Sequence, residues 1–212
     1  MKKLSSFHVL LSGTACASLF VSARRLVVAG LPLLLLGNAF CAPGDLYVTA
    51  GGSTVIYKFT PEGTKTIFAS DLVQPTGIVF DRTGNLFVAD SAIGEILKFT
   101  PTGAKSTFAS GLNIPFALAF DGAGNLYVAD SFGDLGTIYK FTPAGVRSEF
   151  ADGLNFVGLA FDVFGNLFAT HLSPTDLSGG ITKITPDGTT GVFRSGAGPG
   201  LAFGSSGNLF MT

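Results

Sequence analysis

Residues 115–148 read PFALAFDGAGNLYVADSFGDLGTIYKFTPAGVRS, and the physics of this stretch decides the fold. Four short apolar or β-branched runs stand out: PFALAF, NLYVA, TIYKF and, with the next residues, RSEFA. Each has the length usual for a strand. In LYVAD and IYKFT, large and small or apolar and polar residues alternate with a period of two. The joints between runs have turn chemistry. Asp121-Gly122-Ala123-Gly124 puts Asp first and Gly fourth, as a type I turn favours. Thr142-Pro143-Ala144-Gly145 puts Pro second, where its fixed φ suits the turn. Tight turns between adjacent strands make antiparallel hairpins.

The stretch is one copy of a repeat. GDLYVT from Gly44, GNLFVA from Gly84, GNLYVA from Gly124, GNLFAT from Gly165 and GNLFMT from Gly207 recur at steps of 40, 40, 41 and 42 residues. Other columns keep step with them. Thr60, Thr100, Thr142 and Thr185 each open a T-P-x-G turn, and Phe68, Phe108, Phe150 and Phe193 form a column of rings. Self-similarity at this period indicates a solenoid, a propeller or an array. Four antiparallel strands per period make a propeller blade. A parallel β-helix has a shorter coil, and its joints are not hairpins. The expectation for residues 44–212 is an all-β chain of four-stranded antiparallel β-propeller blades.

About four blades fit the chain, which closes on GNLFMT, the opening of another copy. The first copy starts at its second strand. One expectation is that GLAFG, residues 200–204, fills the missing strand and closes a four-bladed ring. The favoured one is an incomplete, truncated ring of six or more blades.

Residues 1–41 differ from the rest. They hold Lys2, Lys3, Arg24, Arg25 and no acid, with an apolar run LVVAGLPLLLL from Leu26 to Leu36 and small residues at Ala39 and Ala42. This is the pattern of a signal peptide, and the run is short for a membrane span of about 20 residues. Cleavage after Cys41 is expected, with export to the periplasm, the cell surface or the medium. Both cysteines, Cys16 and Cys41, lie in this leader, so the body from residue 42 has no thiol chemistry. Of the thirteen basic residues four are in the leader, which leaves the body nine against fourteen acids, a net charge of −5. A nucleic-acid partner needs clustered Lys and Arg, so none is expected. No membrane contact is expected of the body either.

DRTGNLFVADSAIGEILKFTPTG (Asp81 to Gly103) and DGAGNLYVADS (Asp121 to Ser131) resemble NHL repeats, whose blades run D-x-x-G-N-[IL]-Y-V-A-D-S … I-x-K-F. The resemblance covers residues 44–212. The same blade occurs in gluconolactonase-like hydrolases, in streptogramin lyases and in proteins that only bind. For the hydrolases the resemblance implies a divalent cation, calcium or another, held by an Asn of a P-N-G-L motif, a Glu and an Asp. Here the P-N-G positions read Pro75-Thr76-Gly77 and Pro115-Phe116-Ala117. Streptogramin lyases carry Trp in these columns, and this chain has none.

Candidate site residues cluster where loops of successive blades meet at one rim. The strand GNLYVA ends in a column occupied by Ala50, Asp90, Asp130 and His171. Two carboxylates and an imidazole on one rim could hold a cation or share acid–base work, with Asp90 and Asp130 as the candidate metal ligands. Short Asp side chains also bind the backbone of a neighbouring loop. His171 breaks its column and is the sole histidine of the body. The segments between blades, 71–75, 111–115 and 153–157, add Asn113 and Asn155 to the same rim. No nucleophile elbow, zinc-binding helix or phosphate loop is present. The expected function is an exported scaffold that binds a small ligand or a protein without catalysis. A divalent-dependent hydrolase of the gluconolactonase type is the alternative.

Overall fold

The computed structural model describes residues 7–11, 44–50, 52–132, 135–172, 179–196, 200–204 and 206–211. Its regular elements are all strands. Sheet 1 comprises β1 (Phe7–Leu11), β2 (Leu46–Ala50), β3 (Ile56–Phe59) and β4 (Lys65–Ala69), and sheet 2 β5 (Pro75–Phe80), β6 (Leu86–Asp90), β7 (Glu95–Phe99) and β8 (Lys105–Ala109). Sheet 3 has β9 (Pro115–Phe120), β10 (Leu126–Phe132), β11 (Leu135–Phe141) and β12 (Arg147–Asp152), and sheet 4 β13 (Phe156–Phe161), β14 (Leu167–Leu172), β15 (Gly179–Ile184) and β16 (Thr190–Ser195). A hairpin of β17 (Leu201–Phe203) and β18 (Leu209–Met211) follows. All pairings are antiparallel between sequence neighbours.

The first strands of successive sheets lie side by side, β5 against β9, β9 against β13 and β13 against β17. This inner position explains the burial. Every residue of β6 is buried, whereas the fourth strand β8 is exposed over its first three residues. The expected turns form as read. Asp121 Oδ1 accepts the amides of Ala123 and Asn125 at 2.9 Å each, and Oδ2 accepts from Asn125 Nδ2 at 2.8 Å. Asp81 and Asp162 repeat this arrangement. Burial alone would push these three carboxyls up. The hydrogen bonds outweigh it and hold them below the usual aspartate range.

The phenylalanine column is the staple between sheets. Phe87 of β6 stacks edge-on with Phe108 of its own sheet and with Phe120 of the next, both at 5.1 Å. Tyr47 repeats this with Phe68 and Phe80, Tyr127 with Phe150 and Phe161, and Phe168 with Phe193 and Phe203. Edge-to-face pairs at this spacing add about 0.5–1.5 kcal/mol each beyond area burial.

One expectation is corrected. Leu201–Phe203 does not complete the first blade, because it pairs with Leu209–Met211. A hairpin closed over a five-residue connection costs far less loop entropy than closure across the whole repeat array. The first-strand position of sheet 1 is taken instead by Phe7–Leu11, with Phe7 opposite Ala50 and Leu11 opposite Leu46. The apolar run at 26–36 and the cleavage position after Cys41 lie outside the described residues.

Candidate functional site

The loops joining the fourth strand of one sheet to the first of the next, and the hairpins joining second to third strands, meet at one end of the sheets. Backbone hydrogen bonds link them in alternation. Leu72 N–H donates to the Thr54 carbonyl, Ser91 to Gln74, Leu112 to Gly94, Ser131 to Ile114, Gly153 to Gly136 and Leu172 to Asn155, all between 3.0 and 3.2 Å. The rim is therefore one continuous belt.

Asp90 and Asp130 sit beneath it. Asp90 is fully buried at the end of β6, and its Oδ2 and Oδ1 accept the amides of Val73 and Gln74 at 2.8 and 2.7 Å. Asp130, 4 % exposed, accepts the amide of Asn113 at 3.0 Å and that of Ile114 at 2.8 Å. The Asn113 side-chain amide adds a longer bond to Asp130 at 3.4 Å. In each case the carboxylate converges two loop amides on itself, so its charge is met by oriented backbone dipoles. That geometry holds a loop in place.

His171 occupies the same column in sheet 4 and makes a different arrangement. Its ring lies against Gly180, where an added Cβ would stand 2.7 Å from both Cε1 and Nε2. Its Nδ1 is 3.4 Å from the Thr182 hydroxyl. Burial pushes the imidazole below the ordinary histidine value, which favours the neutral ring. Asn113 and Asn155, which look like counterparts in sequence, are not in register. Asn155 presents its carbonyl to Leu172 where Ile114 serves Ser131, so the loop entering sheet 4 is one residue shorter and Leu154 takes the place of Asn113.

Among the described residues no three of His, Cys, Asp and Glu come together to hold a metal ion. Thr76, at the position where the resembling hydrolases carry Asn, is buried and donates toward the carbonyls of Ala89 (3.2 Å) and Pro115 (3.0 Å). The residues present do not fit the cation site that the resemblance implies. Sequence reasoning missed the aliphatic side chains that the belt exposes: Val73, Ile93, Ile114, Leu135 and Leu154. The signal was there, since none of these loop positions needs an apolar residue for its turn.

No family model and no curated protein matches this chain. Solved structures do. Virginiamycin B lyase from Staphylococcus aureus superposes with a TM-score of 0.65 at 17 % identity, over 82 % of this chain and 61 % of that one. The nidogen/laminin complex gives 0.67 at 23 % identity, over 79 % and 67 %. A gluconolactonase from Xanthomonas campestris gives 0.69 at 16 % identity, over 80 % and 66 %. The chain is a β-propeller. At these identities the likeness is one of fold. The propeller spans about three fifths of the length of the lyase. Its sheets 1–4 are four blades, and β17–β18 is the inner pair of a fifth.

Proposed function

We propose that this β-propeller is a binding scaffold with no chemistry of its own, and that its working surface is the loop rim. The observation that carries the reading is the use of both rim carboxylates. Asp90 and Asp130 are buried and spend their oxygens on loop amides, which supports a positioning role over a catalytic one. A fold shared by lyases, gluconolactonases and a protein-complex component is compatible with either class, so the site has to decide. Calorimetric titration with calcium, magnesium and zinc tests it. No saturable micromolar binding is expected, and such binding, lost in Asp130→Ala, would move the assignment to a divalent-dependent hydrolase.

We also propose export. The support is the leader itself: a basic start, the apolar run at Leu26–Leu36 and small residues before Ala42. Processing after Cys41 would remove β1 and leave the β2 edge of blade 1 open to another strand. Among the described residues no helix is long and apolar enough to cross a membrane. Mass spectrometry of the exported protein should find an N-terminus at Ala42; retention of residues 26–41 would refute cleavage.

A further inference from the structure

We infer that the loop rim over blades 2 to 4 is a docking face for a protein segment that presents aliphatic side chains flanked by Lys or Arg. This rests on the scaffold reading and names its partner class. The starting point is a recurrence. Val73 is 53 % exposed, Ile93 47 %, Ile114 44 %, Leu135 65 % and Leu154 36 %. Single exposed aliphatics are ordinary on any surface. These five are consecutive along the belt, alternating between loop and hairpin. Each lies within two residues of one of the hydrogen bonds that tie the belt together.

The belt is also held from below. Asp90 anchors the amide of Val73, and Asp130 anchors that of Ile114. Two buried carboxylates thus fix the backbone that displays two of the five side chains. Leu112 is tied by its amide, which donates to the Gly94 carbonyl at 3.1 Å. A surface ordered before binding loses less entropy when a partner arrives.

The shape and charge select the occupant. A small ligand needs a concave pocket, whereas these side chains protrude from loops. Cavities of about 390 and 260 Å³ are found elsewhere, between blade 4 and β17–β18 and between blade 1 and the β7–β8 turn of blade 2. Segments 70–74, 91–95, 110–114 and 152–155 carry Asp71, Glu95 and Asp152 and no Lys or Arg. Lys105 and Arg147 reach the loops from outer strands, donating to the carbonyls of Asp71 and Gly111. The three carboxylates of these segments outnumber the two cations that reach them, so the local field favours a cationic approach.

A random-peptide display library panned on the full chain tests the inference. Enriched peptides should carry paired Leu, Ile or Val with Lys or Arg beside them, and bind less tightly as salt rises. Ile93→Ser and Ile114→Ser should weaken them at least about tenfold, as truncated anchors do, with unchanged thermal midpoints. Val163→Ser and Phe164→Ser are the controls. Those side chains are 85 % and 83 % exposed, but they lie in the turn at the opposite end of blade 4. Peptides that survive the rim substitutions, that depend on Val163 or Phe164, or that lack the aliphatic-basic pattern would overturn the docking face while leaving the scaffold reading intact. An empty selection would also overturn it. Saturable metal binding with turnover of a lactone would instead sink the scaffold reading.

Discussion

Blades 2 and 3 anchor their rim loops with a buried aspartate, whereas blade 4 has a histidine in that column and a loop one residue shorter. The strand position is the same in all three. Asp90 and Asp130 each gather two loop amides, while His171 packs its ring on Gly180. One strand position thus does two jobs: it ties a neighbouring loop by charge-assisted hydrogen bonds in blades 2 and 3, and it packs against its own sheet in blade 4. The first is strong and unforgiving, since removing the acceptor strands two donors. Asp90→Ala is therefore expected to cost about 3–4 kcal/mol of unfolding free energy, and Asp130→Ala nearly as much. His171→Ala should cost about 1 kcal/mol or less. Chemical denaturation of the three variants measures this. Equal losses at all three positions would mean that the aspartates do not anchor the loops.

Two glycines, one beside the strand partner of Asp90 and one opposite His171, sharpen the contrast. Gly94 has φ +64°, and a Cβ there would lie 2.2 Å from the backbone oxygen of Leu112. Backbone cannot step aside, so Gly94→Ala should cost about 2–3 kcal/mol. In blade 4 the Cβ of Gly180→Ala meets a side chain, the His171 ring, with the Arg194 carbonyl oxygen next at 3.2 Å. Pairing Gly180→Ala with His171→Ala should recover most of the loss, and a coupling energy near zero in that double-mutant cycle would show that the ring is not what fills the site.

A smaller effect separates the inner blades from blade 4 at their outer faces. Phe108 is half-buried, packed on Phe87 and 6.0 Å from Phe141 of the next blade. Phe193 keeps its partner Phe168 but is 54 % exposed. Phe108→Ala should cost about 2 kcal/mol and Phe193→Ala about half that, each well below the 3–5 kcal/mol of a fully buried ring. Thermal midpoints in one buffer rank the two.

The blade was legible in the sequence because its determinants are local. Asp121, Gly124 and Asn125 fix a turn within five residues, and the period-two pattern of Leu126 to Asp130 needs no distant information. The column of Asp90, Asp130 and His171 was legible as a column, but its contacts were not. Whether a carboxylate faces solvent or two loop amides depends on a loop that returns from another strand, with partners 16 and 17 residues away. The one-residue offset of Asn155 from Asn113 was hidden because Gly-Leu-Asn occurs in both loops. The hydrogen bonds from Gly153 and Leu172 show that the shared letters sit at different positions. The strand contributed by Phe7–Leu11 was missed because the leader was read for its export pattern alone.

The smallest predicted effect is a pH dependence confined to blade 4. Burial lowers the pKa of His171 from its ordinary value of 6.5, so folding favours the neutral ring. The unfolded chain then binds the proton more tightly. His171 leaves stability unchanged above the unfolded value and lowers it as pH falls from there through the folded value. The turn carboxylates Asp81, Asp121 and Asp162 act in a separate window, since their stabilisation is present above the usual aspartate value of 3.8 and is lost as pH falls through their lowered values. Between neutral pH and the onset of that window, His171→Gln should flatten a slight fall in thermal midpoint that Asp90 and Asp130 variants retain. Proton NMR of the imidazole gives the same answer directly, with a midpoint below 6.5 expected for His171. A midpoint at or above that value would mean that the ring is solvated and not packed on Gly180, and the packing half of the comparison would fall.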